Sequence, residues 1–211
     1  MRTLTSNRKS MKTFEAKTFT IPELKGISAK TIEEHLKLYA GYVKNANAIL
    51  AKIPEYRAHT EADPFAPNVV MELGRRFSFE FDGMRNHEHY FRHLEGGAQA
   101  LGETSELKKA IGEEFGSFDT WLTNFKALCL TRGIGWAMLV YDKNSQRLLN
   151  NWNDEQHLGH LVGTSPILCL DMWEHSFVSD YQPSGKAQYV EDFFANLNWQ
   201  SVEENFSRAT K

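Results

Sequence analysis

The pattern of apolar residues changes near Gly133, and this change constrains the fold more than any other feature of the chain. Before it, apolar residues recur three, four and seven positions apart, a spacing typical of amphipathic helices. After it come short apolar runs that are typical of strands, GWAMLVYD, RLLNNWN and SPILCLDMW. The sequence therefore predicts an α+β protein, with its helices first and its sheet second.

Helices are predicted on both sides of this change. The first carries an apolar stripe and ends at Pro54; the stripe comprises Ile32, His35, Leu36, Tyr39, Val43, Ala46 and Leu50. The second covers about 68–95 and forms a hairpin with the first. Two further helices begin at Ser117 and at either Thr104 or Ser105, residues suited to N-caps. The last two are predicted over about 186–196 and 198–208.

The three β-like runs predict a three-stranded antiparallel sheet with flanking helices. The first two form a hairpin across a polar turn at 143–146, and the third is a buried strand. We expect three regions: a tail without fixed structure over 1–19, a helical hairpin domain over 20–98 and an α+β domain over 99–211.

Composition argues against several classes of protein. The net charge is -3 and no basic stripe occurs, so no nucleic-acid partner is expected. No apolar run approaches the ~20 residues needed to cross a bilayer, so no membrane partner is expected either. A cytoplasmic location is the expectation. Cys129 and Cys169 lie in apolar runs without CxxC spacing and are predicted to be buried free thiols.

Three segments supply candidate metal ligands. His35 lies on the apolar stripe, where a lone histidine is more often a core residue than a ligand, but Tyr42 shares that face two turns later. His87 is predicted to point inward from the second helix. Asp171 ends the buried strand, where an unpaired carboxylate is costly, and His175 follows four residues on. Three imidazoles and a carboxylate suit a redox-active metal such as iron or manganese.

The sequence argues against three other kinds of metal site. His89 and His93 lie four residues apart on another helix face and could bind zinc, but the sequence offers no third partner, so we expect a solvated pair. HEHYF is not the HExxH of zinc proteases. A di-iron carboxylate bundle requires Glu-x-x-His, and no glutamate here has a histidine three residues on.

Several segments resemble one known family. ILCLDMWEH closely resembles the DVWEH signature of the iron/manganese superoxide dismutases, and GMRNHEHYF resembles their NHxxFW segment. ISAKTIEEHLKLYAGYVKNAN is similar to the first helix of the family. FGSFDTWLTNF and GIGWAMLVYD resemble the stretch that leads into its sheet, and DFFANLNWQSVEENF its closing helices. The resemblance runs from about residue 20 to 207.

The resemblance implies an enzyme that converts superoxide to dioxygen and hydrogen peroxide by alternate reduction and oxidation of one iron or manganese ion per subunit. The metal ligands it implies are His35, His87, Asp171 and His175. It also implies that Tyr42 guards the substrate funnel and that Trp136 and Trp173 wall the pocket. Glu174 is expected to reach the partner subunit's His175 in a homodimer, with a tetramer as the alternative.

The chain departs from the family pattern around the first helix. The interval from His35 to Tyr42 is seven, one fewer than usual, so we predict a regular helix without the usual π-type insertion. Leu38 and Val178 stand where the family pairs a histidine with a tyrosine across the dimer, so the usual outer proton relay is missing. Tyr39 is an alternative for that relay. A non-catalytic metal-binding protein that keeps the fold is the alternative function.

One further position bears on the choice of metal. Iron-type members often place a glutamine four residues before the second ligand, where this chain has Gly83. Gln156, with His157 as the adjacent candidate, is expected to supply the outer-sphere hydrogen bond instead. This pattern favours manganese slightly over iron.

Overall fold

The computed structural model describes residues 12–58 and 61–211, and its α+β architecture confirms the predicted fold class. A helical hairpin precedes a three-stranded antiparallel sheet with flanking helices. The elements are α1 (Ala29–Arg57), α2 (Ala66–Leu94), α3 (Glu106–Phe115), α4 (Phe118–Cys129), β1 (Gly135–Asp142), β2 (Arg147–Asp154), β3 (Thr164–Asp171), α5 (Val178–Tyr181), α6 (Lys186–Asn196) and α7 (Trp199–Ala209). Two single 3-10 turns, Glu174–Ser176 and Pro183–Gly185, flank α5.

The helix α1 begins at Ala29, directly after the N-cap residue Ser28, and ends later than its sequence predicts. The side chain of Ser28 accepts a hydrogen bond from the backbone N–H of Thr31, an N-cap contact that stabilises the first turn. The prediction that Pro54 ends the helix is wrong, because α1 continues to Arg57. A proline removes one backbone hydrogen bond, and in an exposed last turn the freed carbonyl can be hydrated.

The sheet has the order β2-β1-β3, and both strand pairs are antiparallel. The central strand β1 is buried along nearly its whole length, as expected for a strand with neighbours on both sides. Trp136 on β1 lies opposite Asp171 on β3. Since directly paired residues point to the same face, both side chains are directed toward the helical hairpin.

The tail predicted over 1–19 divides into two parts. Residues 1–11 lie outside the described part of the chain. Residues 12–19 form no helix or strand and rest against the helical hairpin, with the ring centroid of Phe19 5.4 Å from that of Phe91 and the N–H of Phe14 bonded to a side chain of α1. This differs from the expected lack of structure because the two phenylalanines gain from burying their rings.

The hydrophobic core lies between the sheet and the helices, and α2 packs on both α1 and β3. Cys129 and Cys169 are buried free thiols, as predicted. Across the described residues, every helix is too short or too polar to cross a bilayer. The domain boundary near residue 98 stays a prediction.

Candidate metal centre

Four side chains that can ligate a metal converge between the helical hairpin and the sheet. They are His35 on α1, His87 on α2, Asp171 at the end of β3 and His175 in the following 3-10 turn. One ligand atom of each lies within 4.8 Å of the others. The Nε2 atoms of His35 and His175 are each 3.1 Å from Asp171 Oδ2, and that of His87 is 3.5 Å from it.

The chain turns sharply after β3, and this turn places His175. The backbone N–H of Trp173 donates to Asp171 Oδ1 at 2.8 Å, a local bond typical of aspartate turns. Ser176 Oγ lies 3.1 Å from the Asp171 carbonyl oxygen and 2.6 Å from that of Trp173. These contacts direct His175 back toward Asp171, four residues earlier. A short sequence motif therefore supplies two of the four donors.

The protonation of His87 follows from its contacts. Its Nδ1 lies 2.6 Å from the carbonyl oxygen of Gly83, which can only accept, so Nδ1 carries the proton. Its Nε2 therefore carries a lone pair, and this buried atom has no hydrogen-bond partner among the described residues. Leaving such an acceptor unpaired costs about 1–3 kcal/mol. A cation placed at Nε2 would remove that cost.

The charges of the four donors also suit a cation. Burial, together with the neighbouring His35, lowers the pKa of His87 to about 3, so its ring is neutral at neutral pH. Burial likewise lowers the pKa of His35. Burial alone would raise the pKa of Asp171, but His175 and His35 more than offset it and hold the pKa below its ordinary value. A buried carboxylate among imidazole nitrogens can hold an iron or manganese ion.

Tyr42, Gln156 and Trp136 form a hydrogen-bonded chain beside the donors. Gln156 Nε2 donates to the Tyr42 hydroxyl oxygen at 3.1 Å, and Trp136 Nε1 donates to Gln156 Oε1 at 2.9 Å. Gln156 is fully buried, and the ring centroid of Tyr42 lies 5.1 Å from that of His87. The Tyr42 oxygen accepts a hydrogen bond from Gln156, so the hydroxyl proton of Tyr42 is free to be donated toward the four metal-ligating side chains.

Gly83 makes room for the Tyr42 ring. A Cβ atom at this position would lie 2.7 Å from Tyr42 Cδ1 and 2.8 Å from its Cε1, closer than real Cβ contacts come. The missing side chain therefore lets the phenol lie against His87. α1 is α-helical throughout, which confirms the predicted regular helix, and both His35 and Tyr42 are on its buried face.

Two tryptophans enclose the donors. The ring of Trp173 stacks on His175 with centroids 5.8 Å apart, and Trp136 meets His87 edge-on at 5.0 Å. Trp136 is fully buried and Trp173 partly so. The two indoles reduce the access of water to the ring nitrogens.

Two residues near Gln156 were missed by the sequence analysis. Asn86 Nδ2 donates to the Gln156 backbone oxygen at 3.0 Å, and His160 Nε2 lies 3.2 Å from the same oxygen. Both hold the segment that carries Gln156. The position of Asn86 immediately before His87 was an available signal. His160 gave none, because its contact depends on the path of the connection from β2 to β3.

His157 and Glu174 lie outside the four-donor cluster. The ring of His157 is 5.6 Å from Phe79 and its Nδ1 is 3.9 Å from Glu155 Oε2. Of the two outer-sphere candidates, the structure therefore brings Gln156, and not His157, to Tyr42. Glu174 is exposed next to His175.

Comparison with known proteins agrees with this geometry. The family model described as iron/manganese superoxide dismutases, C-terminal domain, matches residues 103–205. A protein of Cupriavidus metallidurans named superoxide dismutase (Fe) is 37% identical over 193 residues, which cover 90% of this chain and 93% of that protein. The chain belongs to the iron/manganese superoxide dismutase family.

The relatives carry the names of both metals. Proteins of Mycobacterium lepraemurium and Mycolicibacterium smegmatis, each named superoxide dismutase (Mn), are 36% identical over 179 residues, covering 83% of this chain and 82% of each relative. Membership of the dismutase family thus implies iron or manganese without choosing between them.

Tyr39 is the candidate replacement for the missing outer proton relay, and its contacts do not fit that role. The Tyr39 hydroxyl accepts from the backbone N–H of Lys17 at 2.9 Å and lies 3.4 Å from Glu88 Oε1. These partners lie on the side of α1 covered by the N-terminal segment. Leu38 is 37% exposed and Val178 is partly buried, and neither carries a proton donor.

The prediction of a solvated pair at His89 and His93 is wrong. His93 is fully buried and His89 partly buried, and Cys169 supplies a third potential ligand atom within 4.8 Å. The sequence analysis missed Cys169 because it lies 76 positions from His93 along the chain and meets it only through the packing of β3 on α2.

Proposed function

We propose that this chain converts superoxide to dioxygen and hydrogen peroxide at one iron or manganese ion held by His35, His87, Asp171 and His175. The observation that carries the proposal is the convergence of these four donors from three distant segments. The buried Nε2 of His87 supports it further, because that atom has a lone pair and no hydrogen-bond partner among the described residues. The named relatives support the same activity.

When bound, the ion supplies a one-electron acceptor and donor for the two half-reactions. The chain must deliver protons to the second superoxide. Tyr42 fits this role because its oxygen accepts from Gln156 and its proton is free. Burial, with the nearby charges of Asp171 and Glu80, raises the pKa of Tyr42, so the phenol stays protonated at neutral pH.

Gln156 acts as a positioning residue in this proposal. Its carboxamide is held from one side by Trp136 and donates to Tyr42 on the other, which fixes the orientation of the phenol. His157 is not assigned this role, because its contacts are with Phe79 and Glu155. Trp136 and Trp173 exclude water from the site, and in such a site the positive charge of a bound ion attracts a small anion strongly.

Manganese is proposed as the slightly favoured metal. The support is Gly83, which carries no side chain at the position where iron-type members often have glutamine, together with Gln156 in contact with Tyr42. Reconstitution of metal-free protein with each ion separately, followed by measurement of superoxide consumption, decides the point. Activity with iron and none with manganese would reject this preference and leave the four ligands unaffected.

A cytoplasmic homodimer is proposed as the working form. The exposed carboxylate of Glu174 stands next to the partly exposed His175, where a second copy can be reached. Sedimentation velocity distinguishes monomer, dimer and tetramer. A monomer in the unaltered protein would reject the proposal, and a Glu174→Ala variant that stays fully dimeric and keeps its metal would reject the role given to Glu174.

The proposed activity is tested with His87→Ala and a matched control, His157→Ala. His87→Ala removes the unpartnered Nε2 and is expected to lose the bound metal. Superoxide turnover should fall at least about 100-fold, because the four ligands act together and the loss of one disables the site. His157→Ala removes an imidazole outside the donor cluster and should keep both. Full metal content without turnover in the unaltered protein would instead support the non-catalytic alternative.

A further inference from the structure

A second group of metal-binding side chains lies on the far side of α2, and we propose that it is a separate metal site. His89, His93 and Cys169, here called the His-Cys cluster, place one ligand atom each within 4.8 Å of one another. The proposed ligand is a thiophilic cation, Zn²⁺ or Cu⁺. This site goes beyond the dismutase reaction and does not depend on it.

The His-Cys cluster is built from the same two elements as the metal centre. His89 and His93 are one turn apart on α2, and Cys169 is on β3 two residues before Asp171. His93 is six residues beyond His87, which corresponds to about 9 Å along a helix axis. The two sites are therefore close but share no ligand.

The hydrogen bonds of His93 leave a lone pair directed at Cys169. Ser201 Oγ donates to the Asn198 carbonyl oxygen at 2.8 Å, so it accepts at 3.0 Å from the Nδ1–H of His93. The proton is thus on Nδ1, and Nε2 carries the lone pair. Nε2 accepts only a long bond of 3.3 Å from the backbone N–H of Cys169. A ligating histidine usually donates its other ring N–H to an oxygen acceptor that fixes its tautomer, and Ser201 Oγ takes that place here.

His89 also offers a lone pair, on Nδ1 and not on Nε2. Asn205 Nδ2 donates to the Ile167 carbonyl oxygen at 2.9 Å and lies 3.4 Å from His89 Nδ1. Because this amide nitrogen is a donor, Nδ1 of His89 carries a lone pair. The contact is long, so a metal ion can replace it at little cost.

Cys169 supplies the donor that sets the chemistry of the site. Its side chain is fully buried, and its sulfur has no hydrogen-bond partner in the described part of the chain. Two imidazoles and one thiolate favour zinc or copper over the iron or manganese of the first centre. On binding, the thiol releases its proton to solvent and the thiolate balances one positive charge of the cation.

The geometry requires a small closure of the donors. In a zinc site with bonds of about 2.0–2.3 Å, the ligand atoms lie roughly 3.3–3.7 Å from one another. The ligand atoms of the His-Cys cluster lie within 4.8 Å of one another, so each distance must shorten by about 1.5 Å at most. His89 is only partly buried and can turn inward. It lines a surface pocket, so this one ligand of the three is reached from solvent. Lys17, Arg92 and Arg208 line that pocket with a single carboxylate, Glu88, and this excess of positive charge is expected to slow the entry of a cation.

The test measures metal stoichiometry in protein that already carries its iron or manganese ion. After long incubation with Zn²⁺ and removal of free metal, we expect one zinc per chain in addition to the first ion. With Co²⁺ as the probe, a thiolate-to-cobalt charge-transfer band should appear. Retention of a single metal per chain, or cobalt binding without that band, would overturn the proposal.

Four variants locate the site. Cys169→Ala should lose the zinc and the band, whereas Cys129→Ala, which removes the other buried thiol, should keep both. Ser201→Ala keeps all three ligands and should weaken zinc binding roughly 10- to 100-fold. The iron or manganese content of each sample reports whether it has folded. If Cys169→Ala does not fold, His89→Gln takes its place, and unchanged zinc binding in that variant would reject the site.

Discussion

At the scale of single residues, the position of the Tyr42 phenol depends on an absent side chain. Gly83 faces the ring so closely that a methyl group cannot be accommodated without movement of one or the other. The same ring lies against His87 and accepts from Gln156. A glycine in a helix usually reduces stability, so this one is explained by the space it leaves.

Gly83→Ala is therefore expected to displace Tyr42 and to lower superoxide turnover about tenfold, while the four ligands keep the metal. The helix propensity gained, about 1 kcal/mol, is offset by the clash. Gly74→Ala is the matched control, since it lies on the same helix with open space around it and should raise the free energy of unfolding by about 0.5–1 kcal/mol. Equal turnover in both variants would contradict the role given to Gly83.

Tyr42→Phe removes the hydroxyl that Gln156 contacts and is expected to lower turnover about 100-fold with metal content unchanged, because the proton donor is lost. Tyr39→Phe is the matched control one turn earlier. It loses contacts to Lys17 and Glu88, so the free energy of unfolding should fall by about 1 kcal/mol with turnover preserved. A loss of turnover in Tyr39→Phe would restore Tyr39 as a relay. Steady-state kinetics and urea unfolding separate the two effects.

At the scale of elements, α1 must be both straight and correctly started to present His35 and Tyr42 together. An interval of seven residues is two turns of a regular helix, so both side chains lie on one face. The start is fixed by the Ser28 cap, whose backbone N–H also donates to Asp180 Oδ2. The element thus connects the metal centre to the segment after β3.

Ser28→Ala removes this cap and is expected to lower the free energy of unfolding by about 1 kcal/mol, because the Thr31 N–H loses its acceptor. Ser28→Thr keeps a hydroxyl and should recover most of the loss. Thermal or urea unfolding of the two variants gives the difference directly. If both variants lose the same stability, the side-chain cap is not the cause.

At the scale of the whole molecule, the metal centre joins parts that are distant in sequence. His35, His87 and Asp171 belong to two helices and a strand that otherwise meet by apolar packing. An ion bound to the folded state alone stabilises it by mass action. Folding and metal content are therefore expected to be linked.

Removal of the metal with a chelator should lower the melting temperature. Free metal at ~1,000 times Kd contributes about 4 kcal/mol, which corresponds to about 8–16 °C for a chain of this size. Differential scanning calorimetry of loaded and metal-free protein measures the shift. His87→Ala should show little of it, and a large shift in that variant would point to stabilisation by a metal bound elsewhere.

The sequence by itself determined the α+β class, most helix and strand positions and the family, because these follow from apolar periodicity and from short motifs. It also indicated His35, His87, Asp171 and His175 as candidate ligands, since each lies on a predicted apolar face or at a strand end. The hydrogen bonds around that site, such as that of Gln156 to Tyr42, could not be derived from the order of residues along any one segment.

Only the tertiary structure decided contacts between residues far apart in sequence. The fixed position of residues 12–19 depends on the packing of Phe19 against Phe91. The position of Gln156 depends on the contact of its backbone oxygen with His160. The meeting of Cys169 with His93 depends on the register of β3 against α2. Packing of whole elements sets these distances, so the change of pattern near Gly133 predicts the layers of the fold but not which side chains meet between them.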